Sequence, residues 1–193
     1  NMGFLGRKLP SFKMGKLTQG KNPVTSHIPV ARIADMLLEP GGVIDFNGQH
    51  VTYPDIKLIY WAGGNPFHHH QDLNRLRRAW QKPDTIIVNE QVWNAHARMA
   101  DIVFPATTTL ERNDLGGSSY DHWISPMRKA VEPFSDSRSD FEIFAGIANE
   151  LGFEEKFTEG LDEIQWVERL YETTRSNAED AGITLRPFDE FWA

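Results

Sequence analysis

The segment from Ile56 to Asp72, IKLIYWAGGNPFHHHQD, constrains the fold most strongly, because a short apolar run stops at two glycines and a helix begins soon afterwards. Residues 56–61 have the composition of a β-strand. Gly63 and Gly64 allow the main chain to approach a ligand closely, and a helix N-terminus adds partial positive charge. Because α/β proteins present backbone N–H groups to phosphates in this way, the segment predicts a cofactor site.

The residues that follow predict alternating helices and strands. The apolar spacing predicts a helix over 71–81, a strand over 85–89, a short helix over 91–100 and a buried strand over 102–104. Strands and helices that alternate at this spacing form a parallel sheet with right-handed crossovers. The predicted fold class is therefore α/β, with a three-layer, mostly parallel sheet flanked by helices, as in dinucleotide-binding units.

Further elements are predicted on either side of this sheet. A helix is predicted within 28–38, and Asn-Gly at 47–48 predicts a type I′ turn in a short β-hairpin. Ser139-Asp-Phe-Glu142 has the form of a capping box and predicts the start of a helix. A last amphipathic helix is predicted over 162–178. We expect a hairpin before the sheet and helices towards the C-terminus.

Composition restricts the partners and the chemistry. A net charge of −7 argues against nucleic acid as a partner, and no apolar run approaches the roughly 18 residues that span a bilayer. Cysteine is absent, which excludes disulfides, thiolate nucleophiles and cysteine-ligated metals from this segment. We expect an internal fragment of a longer protein, with residues 1–27 as an extended, loop-like lead and residues 28–193 as a single α/β cofactor-binding domain.

Polar residues follow each of the three predicted strands. They occupy residues 63–72 after the first strand, Asn89-Glu90 at the end of the second, and residues 106–114 after the third. The carboxyl ends of parallel strands meet at one edge, where open α/β sheets bind ligands. Glu90 is placed to accept hydrogen bonds from a ribose or a purine. Two interpretations stay open for Asn89-Glu90, a ligand contact or a solvated turn.

Two other groups have competing interpretations. Consecutive side chains at 68–70 point in different directions, so the three histidines are poor candidates for metal ligation. One interpretation is that the histidines hydrogen-bond an anionic cofactor or a partner domain. The other is that they only lie beside a helix cap, which Gln71 or Asp72 makes. Arg112 either binds a phosphate or pairs with a neighbouring carboxylate.

Three long motifs resemble the dimethyl sulfoxide reductase family of molybdenum enzymes, and specifically its trimethylamine-N-oxide and biotin sulfoxide reductase branch. These motifs are WAGGNPFHHHQDLNR, VNEQVWNAHARMADIVFPATTTLERND and EPFSDSRSDFEIFAGIANELG. The similarity runs from about Pro23 to the C-terminus. The resemblance implies a much longer enzyme of four domains, with molybdenum held by two molybdopterin guanine dinucleotides. This chain resembles the second of two α/β units that each cradle one guanosine end.

The resemblance also implies the reaction and the partners. The expected chemistry is two-electron reduction of an S- or N-oxide by oxygen-atom transfer, with trimethylamine N-oxide, biotin sulfoxide or dimethyl sulfoxide as substrate. The expected partners are the remaining domains, the oxide and an electron donor that the sequence does not identify. The serine that binds molybdenum in this branch has no counterpart here, so we predict no catalytic or metal-ligating residue. The chain alone is expected to be inactive and to hold no cofactor.

An alternative from another class stays open, a stand-alone nucleotide-binding or regulatory module that kept the fold without catalysis. The compartment is open as well, either the periplasm or the cytoplasm of a bacterium. Position at the sheet edge and the resemblance together predict a set of residues that bind the cofactor. They are Gly64, Asn65, Pro66, His68, His69, Gln71, Asp72, Asn89, Glu90, Thr107 and Arg112.

Overall fold

The computed structural model describes residues 12–24, 26–117 and 123–193, which fall into two compact units. One unit is Gly20–Ala106, and the other combines Thr107–Ala193 with the segment that ends at Gln19. Residues 1–11 and Thr25 of the predicted lead lie outside the described residues, and the rest of the lead contains neither helix nor strand. The predicted division of the chain at residue 28 stays a prediction.

A three-stranded parallel sheet forms the centre of the unit Gly20–Ala106. Its strands are β3 (Leu58–Ala62), β4 (Thr85–Glu90) and β5 (Ile102–Pro105), with β4 in the middle. The register pairs Ala62 with Asn89 and Glu90 with Pro105, so the carboxyl ends of the three strands share one edge. The sheet confirms the predicted α/β class. It also confirms that the glycine loop and the tip of β4 follow strands at the same edge.

The apolar face of this sheet is covered by α1 (Ile33–Leu38) and α3 (Leu73–Ala79). Asp72 caps α3 by accepting a hydrogen bond from the Arg75 backbone N–H at 2.9 Å, as the sequence suggested. The buried core residues are Ala34, Leu37, Phe67, Leu76, Ala79, Trp80, Ile86 and Val88. Helix α3 confirms the helix predicted over 71–81, although it spans only Leu73–Ala79.

An ion-pair cluster joins the two helices on their outer side. The Arg75 guanidinium donates to one carboxylate oxygen of Asp35 through Nη2 at 2.7 Å and Nε at 3.1 Å. Arg32 donates to the other oxygen at 2.8 Å. The hydrogen bond from Arg32 is the largest cause of a lowered pKa at Asp35, and Arg75 acts in the same direction. The carboxylate thus stays charged and links α1 to α3.

The hairpin before the sheet matches its prediction. Strands β1 (Val43–Phe46) and β2 (Gln49–Thr52) pair in antiparallel orientation. Asn47 and Gly48 have φ values of +50° and +75°, the two positive angles that a type I′ turn requires.

Two sequence predictions around β5 are wrong. No helix spans residues 91–100. The Asn94 side chain accepts hydrogen bonds from the backbone N–H groups of His96 at 2.9 Å and Ala97 at 3.0 Å, so a helical turn can start only after Asn94. The turn that follows Asn94 is a 3₁₀ turn at Ala97–Met99, and it ends at Ala100, where the backbone is extended. Strand β5 is also not fully buried, since Ile102 is 44% exposed.

The second unit is an antiparallel strand pair followed by helices. Strands β6 (Asp114–Gly116) and β7 (Ser125–Met127) were not predicted, and residues 118–122 between them lie outside the described residues. Ser139 and Glu142 form the predicted capping box. The helices are α4 (Asp140–Glu150), α5 (Glu154–Thr158), α6 (Glu163–Asp180) and α7 (Phe188–Trp192). Within the described parts of the chain, no helix is long and apolar enough to cross a membrane.

Candidate functional site

The loop after β3 exposes its main chain at the carboxyl edge of the sheet. Gly63 and Gly64 have φ values of +80° and +71°, a region that favours glycine. Apart from the residues directly before and after each glycine, no heavy atom of the described residues lies within 4 Å of the place where a Cβ would stand. The Trp61 indole Nε1–H donates to the Gly63 carbonyl oxygen at 2.8 Å and fixes the loop. The glycines therefore leave open space beside the backbone.

Asn65 is the N-cap of a short helix, α2 (Pro66–His69), which the sequence did not predict. The Asn65 Oδ1 atom accepts a hydrogen bond from the Phe67 backbone N–H at 2.9 Å and caps this helix. Pro66 occupies the first helical position, where its missing N–H costs nothing. The oxygen of Asn65 is thus used within the chain, while its amide nitrogen makes no hydrogen bond to the residues that the structure describes.

The three histidines after Asn65 have different surroundings. His68 and His69 are exposed, with their rings edge to face at 5.3 Å. Both ring nitrogens of His70 are buried, and neither has a hydrogen-bond partner among the described residues. Gln71 is exposed beside the Asp72 cap. His70 was not predicted as a site residue, and no feature of the sequence distinguishes it from the histidines before it.

The end of β4 carries two side chains that the protein itself holds. Asn89 is buried, and its Oδ1 atom accepts a hydrogen bond from the Tyr60 hydroxyl at 2.8 Å. Glu90 has one carboxylate oxygen 3.0 Å from the His96 Nδ1 atom, and the other accepts from the Asn94 side chain at 2.9 Å. Burial lowers the pKa of His96, although Glu90 opposes this shift. Glu90 is thus a positioned carboxylate and not part of a solvated turn.

Thr107 and Arg112 belong to the other unit. The Thr107 backbone N–H donates to the Arg138 carbonyl oxygen at 3.0 Å, and its own carbonyl oxygen accepts from Arg112 at 2.9 Å. Arg112 also contacts the Asp114 carboxylate at 3.4 Å. Among the described residues, the structure therefore gives Arg112 two partners, the Thr107 carbonyl oxygen and the neighbouring Asp114 carboxylate. In the described part of the chain, no three metal-ligating side chains come together.

These features define a class of protein. A parallel sheet has at one edge an open glycine backbone, an asparagine that caps a short helix, and a carboxylate held in place. This is the arrangement of a dinucleotide-binding-like α/β unit. This edge presents hydrogen-bond donors of the main chain and of Asn65 together with the Glu90 carboxylate acceptor.

Comparison with known proteins identifies the family. A family model described as molybdopterin oxidoreductase matches residues 19–150, and the chain belongs to this family. It is 48% identical to a biotin sulfoxide reductase of Cereibacter sphaeroides, over 99% of this chain and 26% of that protein. It is 49% identical to a trimethylamine-N-oxide reductase of Haemophilus influenzae, over 95% of this chain and 22% of that protein. These matches confirm the resemblance read from the motifs.

One further relative agrees with this membership, and one solved structure shares the fold. The chain is 51% identical to a dimethyl sulfoxide/trimethylamine N-oxide reductase of Cereibacter sphaeroides, over 86% of this chain and 20% of that protein. An acetylene hydratase from Pelobacter acetylenicus superposes on 84% of this chain and 20% of its own, with a TM-score of 0.60 and 15% identity, which shows a common fold. The chain thus spans about a quarter or less of the length of these relatives.

Proposed function

We propose that this chain binds the guanosine end of a molybdenum-bis(molybdopterin guanine dinucleotide) cofactor within a larger reductase of S- or N-oxides. The observation that carries the proposal is the register of β3 and β4, which pairs Ala62 with Asn89. It brings the glycine loop and Glu90 to one edge of a parallel sheet, where α/β folds bind nucleotides. The names of the relatives, reductases of sulfoxides and N-oxides, supply the reaction and substrate class of the proposal.

The residues at this edge fit such a cofactor. The space beside Gly63 and Gly64 accommodates a phosphate close to the main chain. The Asn65 amide nitrogen is a donor suited to phosphate or sugar oxygens, and the Glu90 carboxylate is an acceptor for purine N–H groups or ribose hydroxyls. The buried nitrogens of His70 add further polar atoms without partners among the described residues. Thr107 and Arg112 stay predicted contacts from the other unit.

The role proposed for these side chains is to bind and orient the cofactor. When bound, the cofactor supplies the two-electron chemistry of oxide reduction. The glycine loop and Asn65 would hold the phosphates, and Glu90 would fix the base or the ribose. No residue of this chain is proposed as catalytic. We therefore expect the 193-residue chain alone to show no reductase activity and to retain no cofactor.

An Asn65→Asp substitution in the complete protein tests this proposal. Aspartate keeps the oxygen that caps α2 but removes the amide donor and adds a negative charge facing an anionic cofactor. We expect cofactor affinity to fall by about 1–3 kcal/mol, which is roughly fivefold to 150-fold, as for loss of a buried hydrogen bond. The measurement is guanine nucleotide and molybdenum per protein after purification and dialysis.

Asn74→Asp is the matched control, because it introduces the same charge on the exposed surface of α3. The control is expected to retain the cofactor fully. Unchanged nucleotide and molybdenum content in Asn65→Asp would contradict the proposed site. Equal losses of nucleotide and molybdenum in both variants would show a general effect of the added charge, and not the loss of a contact between Asn65 and the cofactor.

A further inference from the structure

We infer that His96 is a positioning residue for the nucleotide, which holds the Glu90 carboxylate in the orientation that binds the base or sugar and couples it to the glycine loop. This inference rests on the proposed function. His96 was not among the predicted site residues, and it lies in a segment for which the sequence predicted a helix. The fold brings its ring against Glu90, the last residue of β4.

The first observation is the way Glu90 is held. Its two carboxylate oxygens have separate partners, His96 Nδ1 at 3.0 Å and the Asn94 amide at 2.9 Å. Each carboxylate oxygen has two lone pairs, so these contacts fix the orientation of the group and leave acceptor capacity for a ligand. The Glu90 side chain keeps 12% of its surface exposed, whereas His96 has none. Glu90 is thus accessible to a ligand and His96 acts from behind it.

The second observation is the state of the imidazole. A carboxylate only accepts hydrogen bonds, so the proton of a neutral His96 lies on Nδ1. The Nε2 atom is buried and has no hydrogen-bond partner among the described residues. Burial lowers the pKa of this ring, which favours the neutral form. A buried polar atom without a partner destabilises the fold, so stability alone does not explain a histidine at this position.

The third observation connects His96 to the glycine loop. Its ring packs against three aromatic rings, with centroid distances of 5.6 Å to Trp61, 6.0 Å to Trp80 and 6.2 Å to Phe67. Trp61 in turn donates its indole N–H to the Gly63 carbonyl oxygen. Phe67 lies in the helix that Asn65 caps. The His96 imidazole therefore contacts the Glu90 carboxylate, the tryptophan that fixes the glycine loop and the helix that Asn65 caps.

Two substitutions of His96 separate positioning from packing, in the complete protein loaded with cofactor. His96→Phe keeps an aromatic ring in the cluster and removes the Nδ1–H donor. His96→Asn places an amide nitrogen near the position of Nδ1 and leaves a void among the aromatic rings. Guanine nucleotide per protein after dialysis and the thermal midpoint are measured for both, together with Glu90→Gln and the Glu90→Gln/His96→Phe double variant.

We expect His96→Phe to retain about tenfold less nucleotide, as for loss of a hydrogen bond to a charged group. The double variant should lose no more than Glu90→Gln alone, since His96 acts through Glu90. His96→Asn should melt at a lower temperature than His96→Phe and yet retain more nucleotide. That reversed order is a result that a purely structural role would not produce.

The alternative outcomes are distinguishable. If Glu90→Gln retains wild-type nucleotide, the proposed role of Glu90 fails and the inference fails with it. If Glu90→Gln loses nucleotide but His96→Phe does not, only the inference about His96 is overturned. The inference about His96 is also overturned if the double variant loses as much nucleotide as the two single variants together. It is overturned as well if nucleotide retention in the His96 variants falls in the same order as their thermal midpoints.

Discussion

Leu76→Ala is expected to lower the free energy of unfolding of the Gly20–Ala106 unit by about 2–5 kcal/mol. Leu76 is fully buried in α3, and it belongs to the cluster that includes Trp80, Ile86 and Val88. Alanine removes apolar contacts and leaves a void that a close-packed core fills only partly. The measurement is native-state hydrogen exchange of the β4 amides, which reports the opening of this unit.

Leu73→Ala is the matched control, because Leu73 lies one turn earlier on the same helix and is 42% exposed. The apolar spacing that predicts this helix puts both leucines on one face, but the structure buries only Leu76. Leu73→Ala is expected to lower the free energy of unfolding by about 1 kcal/mol or less. Equal losses for the two substitutions would mean that α3 does not pack on the sheet as described.

Gly64→Ala in the complete protein is expected to reduce guanine nucleotide retention by about tenfold, equivalent to roughly 1.4 kcal/mol of affinity. The added Cβ would enter the space beside the backbone in which the phosphates are proposed to lie. The positive φ of +71° also makes an alanine costly here, by about 1–2 kcal/mol of backbone strain. Nucleotide is measured after release by denaturation and compared with the thermal midpoint of the same sample.

Gly48→Ala separates these two effects. Gly48 has a similar φ of +75° and similarly open surroundings, but it lies in the turn of the β1–β2 hairpin. It should show a comparable loss of stability with full nucleotide retention. If both variants lost nucleotide equally, strain would account for the result and the glycine loop would not be a phosphate contact.

The sequence predicted the central fold because its signals were local and agreed with one another. The apolar runs of β3 and β4, the Asn-Gly turn at 47–48 and the capping box at Ser139 each appear where expected. The errors arose where one side chain changed the local outcome. Asn94 accepts hydrogen bonds from the backbone N–H groups of His96 and Ala97, so a turn starts only after it, in the middle of the helix predicted over 91–100.

The remaining omissions also have physical causes. Helix α2 begins at an Asn-Pro pair, which is a common start of a helix, but its four residues are too few to show an apolar period. Strands β6 and β7 are three residues each, and a proline lies within β7, so neither has a usable apolar period. The short helices α5 and α7 depend on tertiary packing more than on local pattern.

The candidate site was predictable at the level of loops but not of contacts. The order of the strands along the chain predicts that the glycine loop and Glu90 lie at one edge, because each follows or ends a strand at its carboxyl end. The partners of Glu90 could not be read in the same way, because the hydrogen bond to His96 requires the turn that Asn94 makes. The buried nitrogens of His70 likewise depend on packing that no periodicity encodes.

Hydrogen exchange of the complete protein, with and without bound cofactor, tests most directly whether this sheet edge binds the nucleotide. Cofactor-free protein from cells that cannot synthesise the pterin is compared with the loaded form. We predict slower exchange of the backbone amides over 63–72 and 89–96 in the loaded protein, with the hairpin turn at 47–48 unchanged. Equal exchange in both loops with and without cofactor would contradict the proposed site.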